Sequence, residues 1–179
     1  DLETDPQQLV NLASDREHRD ALRTMRRRTN EERDRIERQA PLPRVLILGD
    51  SISMGYHRFV VEALRSEAVV IRPGENCAGT IHGIRKIDAW LALHGGGWDV
   101  IHFNFGLHDL KRVKEDGSNS TDPSDGRQSE LDEYEVQLRA ILAKLLETDA
   151  TVIFATTTPV PAGGVRPHRD VDDPARYND

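Results

Sequence analysis

Apolar positions are sparse up to about residue 40 and regular beyond it. In the first stretch Leu9, Leu12, Leu22, Met25 and Ile36 stand apart in a charged background, which predicts a helical arm or linker. Its "RTMRRRTNEERDRIER" run interleaves acids with bases and reads as a solvated helix face laced with ion pairs. The prolines of "QAPLPR" stop the helix and begin an extended segment, so residues 1–43 are taken as the arm and 44–179 as the domain.

Within the domain, short apolar runs alternate with amphipathic stretches. "RVLILGD" is a continuous apolar run, the mark of a strand buried on both faces. "SISMGYHRFVVEALRSE" then sets Tyr56, Phe59, Val60 and Leu64 at helical spacing, "AVVIRP" is a second strand, and "TIHGIRKIDAWLAL" sets Ile84, Ile87 and Leu91 on one helix face. A third strand, "WDVIHFNFG", precedes a polar stretch from Lys111 to Ser129 that has no period and predicts a long loop. "ELDEYEVQLRAILAKLLETD" carries a wide stripe through Leu131, Leu138, Ile141, Leu142 and Leu145, and "ATVIFATTTPV" is a fourth strand. This alternation predicts a parallel sheet with helices on both faces, a three-layer α/β/α domain. Ligands bind such sheets at the C-terminal strand ends, where "GDS", "GENCAGT", "FGLHD" and "TTTPVPAGGVRPHRD" fall.

Composition narrows the partners. The chain has 179 residues, 37% of them hydrophobic, enough for one buried core without staples. A formal charge of −7 argues against nucleic-acid binding, which needs clustered Lys and Arg. The single cysteine, Cys77, excludes an internal disulfide and a multi-thiolate metal site. No apolar run is long enough to cross a bilayer, and no signal-peptide pattern is present. The chain opens at Asp1 without an initiator methionine, so the compartment stays open, as does the oligomeric state.

Ser51 stands between a buried strand and a helix start, beside unpaired backbone N–H groups and the positive end of the helix dipole. That position suits a helix cap, and it equally suits a hydroxyl next to which negative charge develops. Acyl transfer needs such a hydroxyl, oxyanion donors, and a base with an orienting acid. Gly79 in the second segment can present a bare backbone N–H, and His108 and Asp109 follow a glycine in the third.

Taken together, "GDSISMG", "ENCAGT" and "GLHD" resemble, in order, the blocks of the SGNH (GDSL-type) serine hydrolases, over residues 44 to 179. The resemblance implies a flavodoxin-like sheet, Ser51 as nucleophile with its own N–H as first oxyanion donor, and Gly79 N–H as the second. His108 stands where the family has asparagine; an imidazole N–H can donate as an amide does, so His108 is taken as an oxyanion donor in preference to a general base. The family's late Asp-x-x-His block is absent before Asp179, which predicts a chain cut short at its C-terminus. Within these residues the candidate base is His168 in "GVRPHRDVDD", with Asp170, Asp172 and Asp173 near to orient the ring.

The activity so implied is hydrolysis of short-chain carboxylic esters through an acyl-enzyme on Ser51, with no metal or organic cofactor. Acetyl groups on carbohydrates are a candidate substrate, because "DLETDPQQLVNLASDREH" resembles the C-terminal tail of bacterial sulfatases while carrying no sulfatase catalytic motif. The alternative is a non-catalytic domain of the same kind that binds an acylated glycan or a protein partner. A phosphate-binding α/β domain ranks last, since "LGDSISMG" lacks the spaced glycines and lysine of a P-loop. Among the remaining polar residues, Asp50 is expected to fix its turn by accepting backbone N–H bonds, Asn76 and Asn104 to be structural, Cys77 to pack, and His102 to be buried and hydrogen-bonded.

Overall fold

The structure is a computed structural model that describes residues 19–39, 41–162 and 165–179. The chain divides between Pro41 and Leu42 into two units. In the first, α1 (Arg19–Gln39) has Asp20 in its opening turn, where a carboxylate favours the positive end of the helix dipole. Arg27 and Glu31 pair across one turn at 3.8 Å, both exposed. Residues 1–18 of the sulfatase-like stretch lie outside the described residues.

The second unit is built on a four-stranded parallel sheet: β1 (Arg44–Leu48), β2 (Val69–Ile71), β3 (Val100–Phe103) and a later β6 (Thr151–Phe154), in the order β2-β1-β3-β6. The strands join through α2 (Ser51–Ala63), α3 (Thr80–Leu91) and α4 (Leu131–Leu146). The expected α/β architecture is therefore present. Leu46, Leu48, Ile101 and Phe103 are fully buried, as continuous apolar runs in the middle of a covered sheet must be. From β1 the chain steps one way to β2, then back past β1 to β3 and β6. Right-handed crossovers put α2 on one face and α3 with α4 on the other, and the direction reverses between β1 and β3. Just beyond the C-terminal ends of those two strands a crevice opens between the diverging loops.

Helix facing is sharper than the apolar pattern alone predicts. The inward line of α2 runs through Ser53, Tyr56, Val60 and Leu64, so Phe59, about 100° off that line, is 60% exposed under the Arg58 guanidinium. In α3 the buried positions are Thr80, Gly83, Ile87 and Trp90, which leaves Ile84 outside.

The polar stretch from Lys111 to Ser129 is ordered, contrary to the loop expected of it. It forms an antiparallel hairpin of β4 (Arg112–Val113) and β5 (Gly126–Arg127). A short helix, α5 (Asp173–Asn178), follows β6 and was not anticipated; Pro174 in its first turn suits a helix start. The hairpin and α5 hold each other. Arg127 Nε donates to Asp173 Oδ2 at 2.7 Å and its Nη2 to Asp173 Oδ1 at 2.8 Å, while Tyr177 Oη donates to Ser129 O at 2.6 Å. Among the described residues no helix is long and apolar enough to cross a membrane.

Candidate active site

The turn after β1 answers whether Ser51 is a cap. Asp50 is the N-cap of α2: its Oδ1 accepts from Ile52 N–H at 2.9 Å, and its carbonyl accepts from Ser53 Oγ at 2.7 Å. With the capping role taken, Ser51 is the first residue of the helix, its N–H without an intrahelical acceptor and its side chain exposed. No described side chain hydrogen-bonds its hydroxyl.

Ser51 opens into a cleft of about 290 Å³ at the crevice between β1 and β3. Asp50, Leu107 and His108 line it from the strand ends, and Val160, Arg166 and Arg169 line it from the segment after β6. Ser51 and His108 are thus brought together. Gly79 and His168 are outside that lining.

His108 is placed by its loop. Gly106, at φ +148°, turns the chain sharply beyond β3, and its carbonyl accepts from Asp109 N–H at 2.7 Å and Leu110 N–H at 3.0 Å. A Cβ there would come within 2.4 Å of Thr157 Oγ1, so only glycine fits. The Nδ1 of His108 is buried without a partner, so Nε2 is the nitrogen available to the cleft. Burial first, and the nearby Lys111 charge second, hold its pKa below the usual histidine value. Near neutral pH the ring is uncharged, with one nitrogen donating and one accepting.

Asp109 faces the other way and locks the second segment to the third. Its carboxylate is fully buried, and Oδ1 accepts from Thr80 N–H at 2.8 Å and Thr80 Oγ1 at 2.6 Å. Burial pushes its pKa up against those hydrogen bonds. Gly79, N-cap of α3, packs directly on it: a Cβ at Gly79 would meet Asp109 Oδ1 and Gln128 Nε2, each at 2.7 Å. Cys77 N–H donates to Gly49 O at 3.3 Å, which ties this segment to the turn before Ser51. Asn76 Oδ1 accepts from Ala78 N–H at 2.8 Å, supporting the left-handed Ala78, and Asn104 Nδ2 donates to Ala155 O at 2.6 Å. Both asparagines are therefore structural. Burial drives the Cys77 thiol up to about 11, so it packs and does not attack.

His168 is held by the hairpin. Its N–H donates to Ser120 O and its carbonyl accepts from Arg112 N–H, each at 2.8 Å, and its Nε2 lies 3.0 Å from Asp170 Oδ1. An imidazole with an orienting carboxylate is thus present, one residue from the cleft wall. His102 differs from expectation: its Nδ1 is buried without a partner, and burial lowers its pKa.

Two cleft residues escaped the sequence reading, Arg166 and Arg169. Their one visible signal was their position in "GVRPHRD", after the fourth strand at the ligand edge. Arg169 Nε donates to Leu107 O at 2.5 Å and its Nη1 to Pro167 O at 3.2 Å, so its guanidinium is fixed against the His108 loop. No group of three or more His, Cys, Asp or Glu that could hold a metal ion occurs among the described residues.

The fold has a counterpart among solved structures. A point mutant of the esterase AlinE4 superposes with a TM-score of 0.53 at 21% sequence identity, over 77% of this chain and 71% of that one. At that identity the likeness is one of architecture. No family model matches the chain, and no curated protein matches it.

Proposed function

We propose that the protein is a serine esterase of the SGNH type, acting on short-chain carboxylic esters, with acetyl groups on carbohydrates as candidate substrates. The observation that carries the reading is the pairing of Ser51, an uncapped hydroxyl at a helix start, with the uncharged His108 ring in one cleft. The likeness in fold to an esterase adds to it.

In this reading Ser51 Oγ attacks the ester carbonyl, the C–O bond to the alcohol breaks, and water hydrolyses the acyl-enzyme. The oxyanion is assigned to Ser51 N–H and His108, which share the cleft, with Gly79 N–H, a donor implied by the family resemblance, standing outside its lining. A base must take the serine proton and return it to the leaving alcohol. Among the described residues His168, with Asp170 as its orienting acid, is the base assigned; it stands outside the cleft lining, next to the lining residue Arg169.

A fluorophosphonate probe and hydrolysis of 4-nitrophenyl acetate test the assignment. Labelling and turnover are both expected, with Ser51→Ala abolishing the label and lowering turnover by about 10⁴-fold or more. His108→Asn keeps an N–H donor and is expected to stay within about tenfold, whereas His108→Ala loses about 10²–10³. If His108→Asn is as inactive as Ser51→Ala while His168→Ala is active, His108 is the base. Absence of both labelling and turnover overturns the esterase in favour of a non-catalytic cleft that binds an acylated glycan or protein partner.

A further inference from the structure

The three arginines around the segment after β6 differ in their partners. Arg112 and Arg127 end on carboxylates: Arg112 Nη2 on Asp170 Oδ2, and Arg127 on Asp170, Asp173 and Glu130. Arg169 ends on none. Two of its five N–H donors bond the carbonyls of Leu107 and Pro167, which leaves three without a protein acceptor among the described residues. The guanidinium is half-buried, so its charge is partly removed from water while no described residue neutralises it at contact distance.

The surroundings add positive charge. Arg166 lines the same cleft, and Lys111 stands near enough that Arg169 depresses its proton affinity, although burial is the larger cause. The one acidic lining residue is Asp50, whose carboxylate already caps α2. In a chain of net charge −7, the cleft that holds Ser51 is therefore locally cationic. Burial lowers the pKa of Arg169, opposed only by Asp50, as expected of a cation short of a counter-ion.

We infer that Arg169 recognises an anionic oxyacid group, a carboxylate or sulfate, on the ester that Ser51 attacks, which makes the substrate class acyl esters bearing a negative charge close to the scissile bond. The inference rests on the esterase reading. A guanidinium whose plane is already fixed by two backbone carbonyls loses little freedom on taking a carboxylate or sulfate through its remaining fork. The charge can belong to the acyl part or to the alcohol part of the ester, and the chemistry of recognition is the same.

Three chromogenic esters separate these cases: 4-nitrophenyl acetate is neutral, mono-4-nitrophenyl succinate carries the charge on its acyl part, and 3-acetoxy-4-nitrobenzoate carries it on its alcohol part. The two 4-nitrophenyl esters share a leaving group and are compared by kcat/KM directly, because the succinate carboxylate speeds its own uncatalysed hydrolysis, and 3-acetoxy-4-nitrobenzoate is compared with neutral 2-nitrophenyl acetate. The expected result is a preference of about tenfold or more for at least one anionic ester, the size of one charge-assisted hydrogen bond. Arg169→Gln is expected to bring that ratio close to one, and Arg169→Lys, which keeps the charge and loses the fork, to retain part of it. A wild-type ratio near one, or a ratio that Arg169→Gln leaves unchanged, overturns the inference while the esterase stands. If no ester is hydrolysed, the esterase reading fails, and calorimetric titration of 3-acetoxy-4-nitrobenzoate into the Ser51→Ala protein decides the anion site. An approximately tenfold weaker Kd on adding Arg169→Gln supports it, and an unchanged Kd overturns it.

Discussion

Arg127 and Arg169 both meet the stretch between Val165 and Asp173, and their electrostatic situations are opposite. The side chain of Arg127 is 15% exposed and spends its fork on Asp173, itself 2% exposed, with Asp170 and Glu130 completing the set. Its pKa rises accordingly, through the Asp173 hydrogen bonds first. Arg169 is fixed by carbonyls alone and has no anion at contact distance among the described residues. A saturated buried cation belongs to the fold. An oriented, unsaturated one at the wall of a cleft belongs to whatever enters the cleft.

Arg127→Ala is expected to destabilise the protein by about 3–5 kcal/mol, because Asp173 is then left with the exposed Arg176 at 3.6 Å as its remaining ion-pair partner. Urea denaturation measures the loss, and a value below about 1 kcal/mol would erase the contrast between the two arginines. Asp109→Ala comes next, at about 2–3 kcal/mol, since Thr80 N–H loses its acceptor in a fully buried setting. Asp109→Asn retains an oxygen to accept from Thr80 N–H, so a change within about 1 kcal/mol is expected; equal losses for both variants would mean that the carboxyl group itself is needed.

The acid limb of stability tests the saturated side differently. Burial raises the pKa of Asp170, but hydrogen bonds from His168 and Arg112 and the charges of Arg112 and Arg127 outweigh it, so the net shift is downward from 3.8. A carboxylate depressed on folding contributes stability above its unfolded pKa and loses it as pH falls through the folded value. The melting temperature should therefore drop below about pH 3.8, with a shallower drop in Asp170→Asn. An unchanged slope in that variant would remove Asp170 from the set of stabilising charges. The smallest effect belongs to Arg169→Gln, expected within about 1 kcal/mol of wild type by the same urea measurement, since partly exposed carbonyls regain water. A loss as large as that of Arg127→Ala would make Arg169 a brace like the other two.

The sheet was legible because runs such as "RVLIL" and "VIHF" are continuous only where both faces are covered. Helix existence was legible and helix facing only partly so, because Ser53 and Gly83 hold inward positions that an apolar count assigns to Phe59 and Ile84. The hairpin was not legible at all. Its strands are two residues each, and it is fastened by pairs such as Arg112–Asp170 and Arg127–Asp173, separated by 58 and 46 residues, which no local period records. Ser51 could be picked out from the strand-to-helix junction, whereas its release from capping needed the Asp50 geometry. Arg169 matters through a bond to Leu107, 62 residues away, so its sequence neighbours say nothing of its role.

The two walls of the cleft are supported by different parts of the chain and are bridged where Arg169 Nε donates to Leu107 O. The wall with Ser51 is set by the sheet and the α2 turn, whose geometry is fixed by backbone pairing over β1, β2 and β3. The wall with Arg169 hangs from Arg112 and Ser120 through the backbone of His168. The exposed hairpin tip, around Lys114 to Ser118, connects through Arg112 and Ser120 to the backbone next to Arg169 and makes no backbone bond to the turn that carries Ser51. In the esterase reading, the group that would select the substrate and the group that would attack it have different backbone supports, which makes the hairpin the place to reshape one while keeping the other.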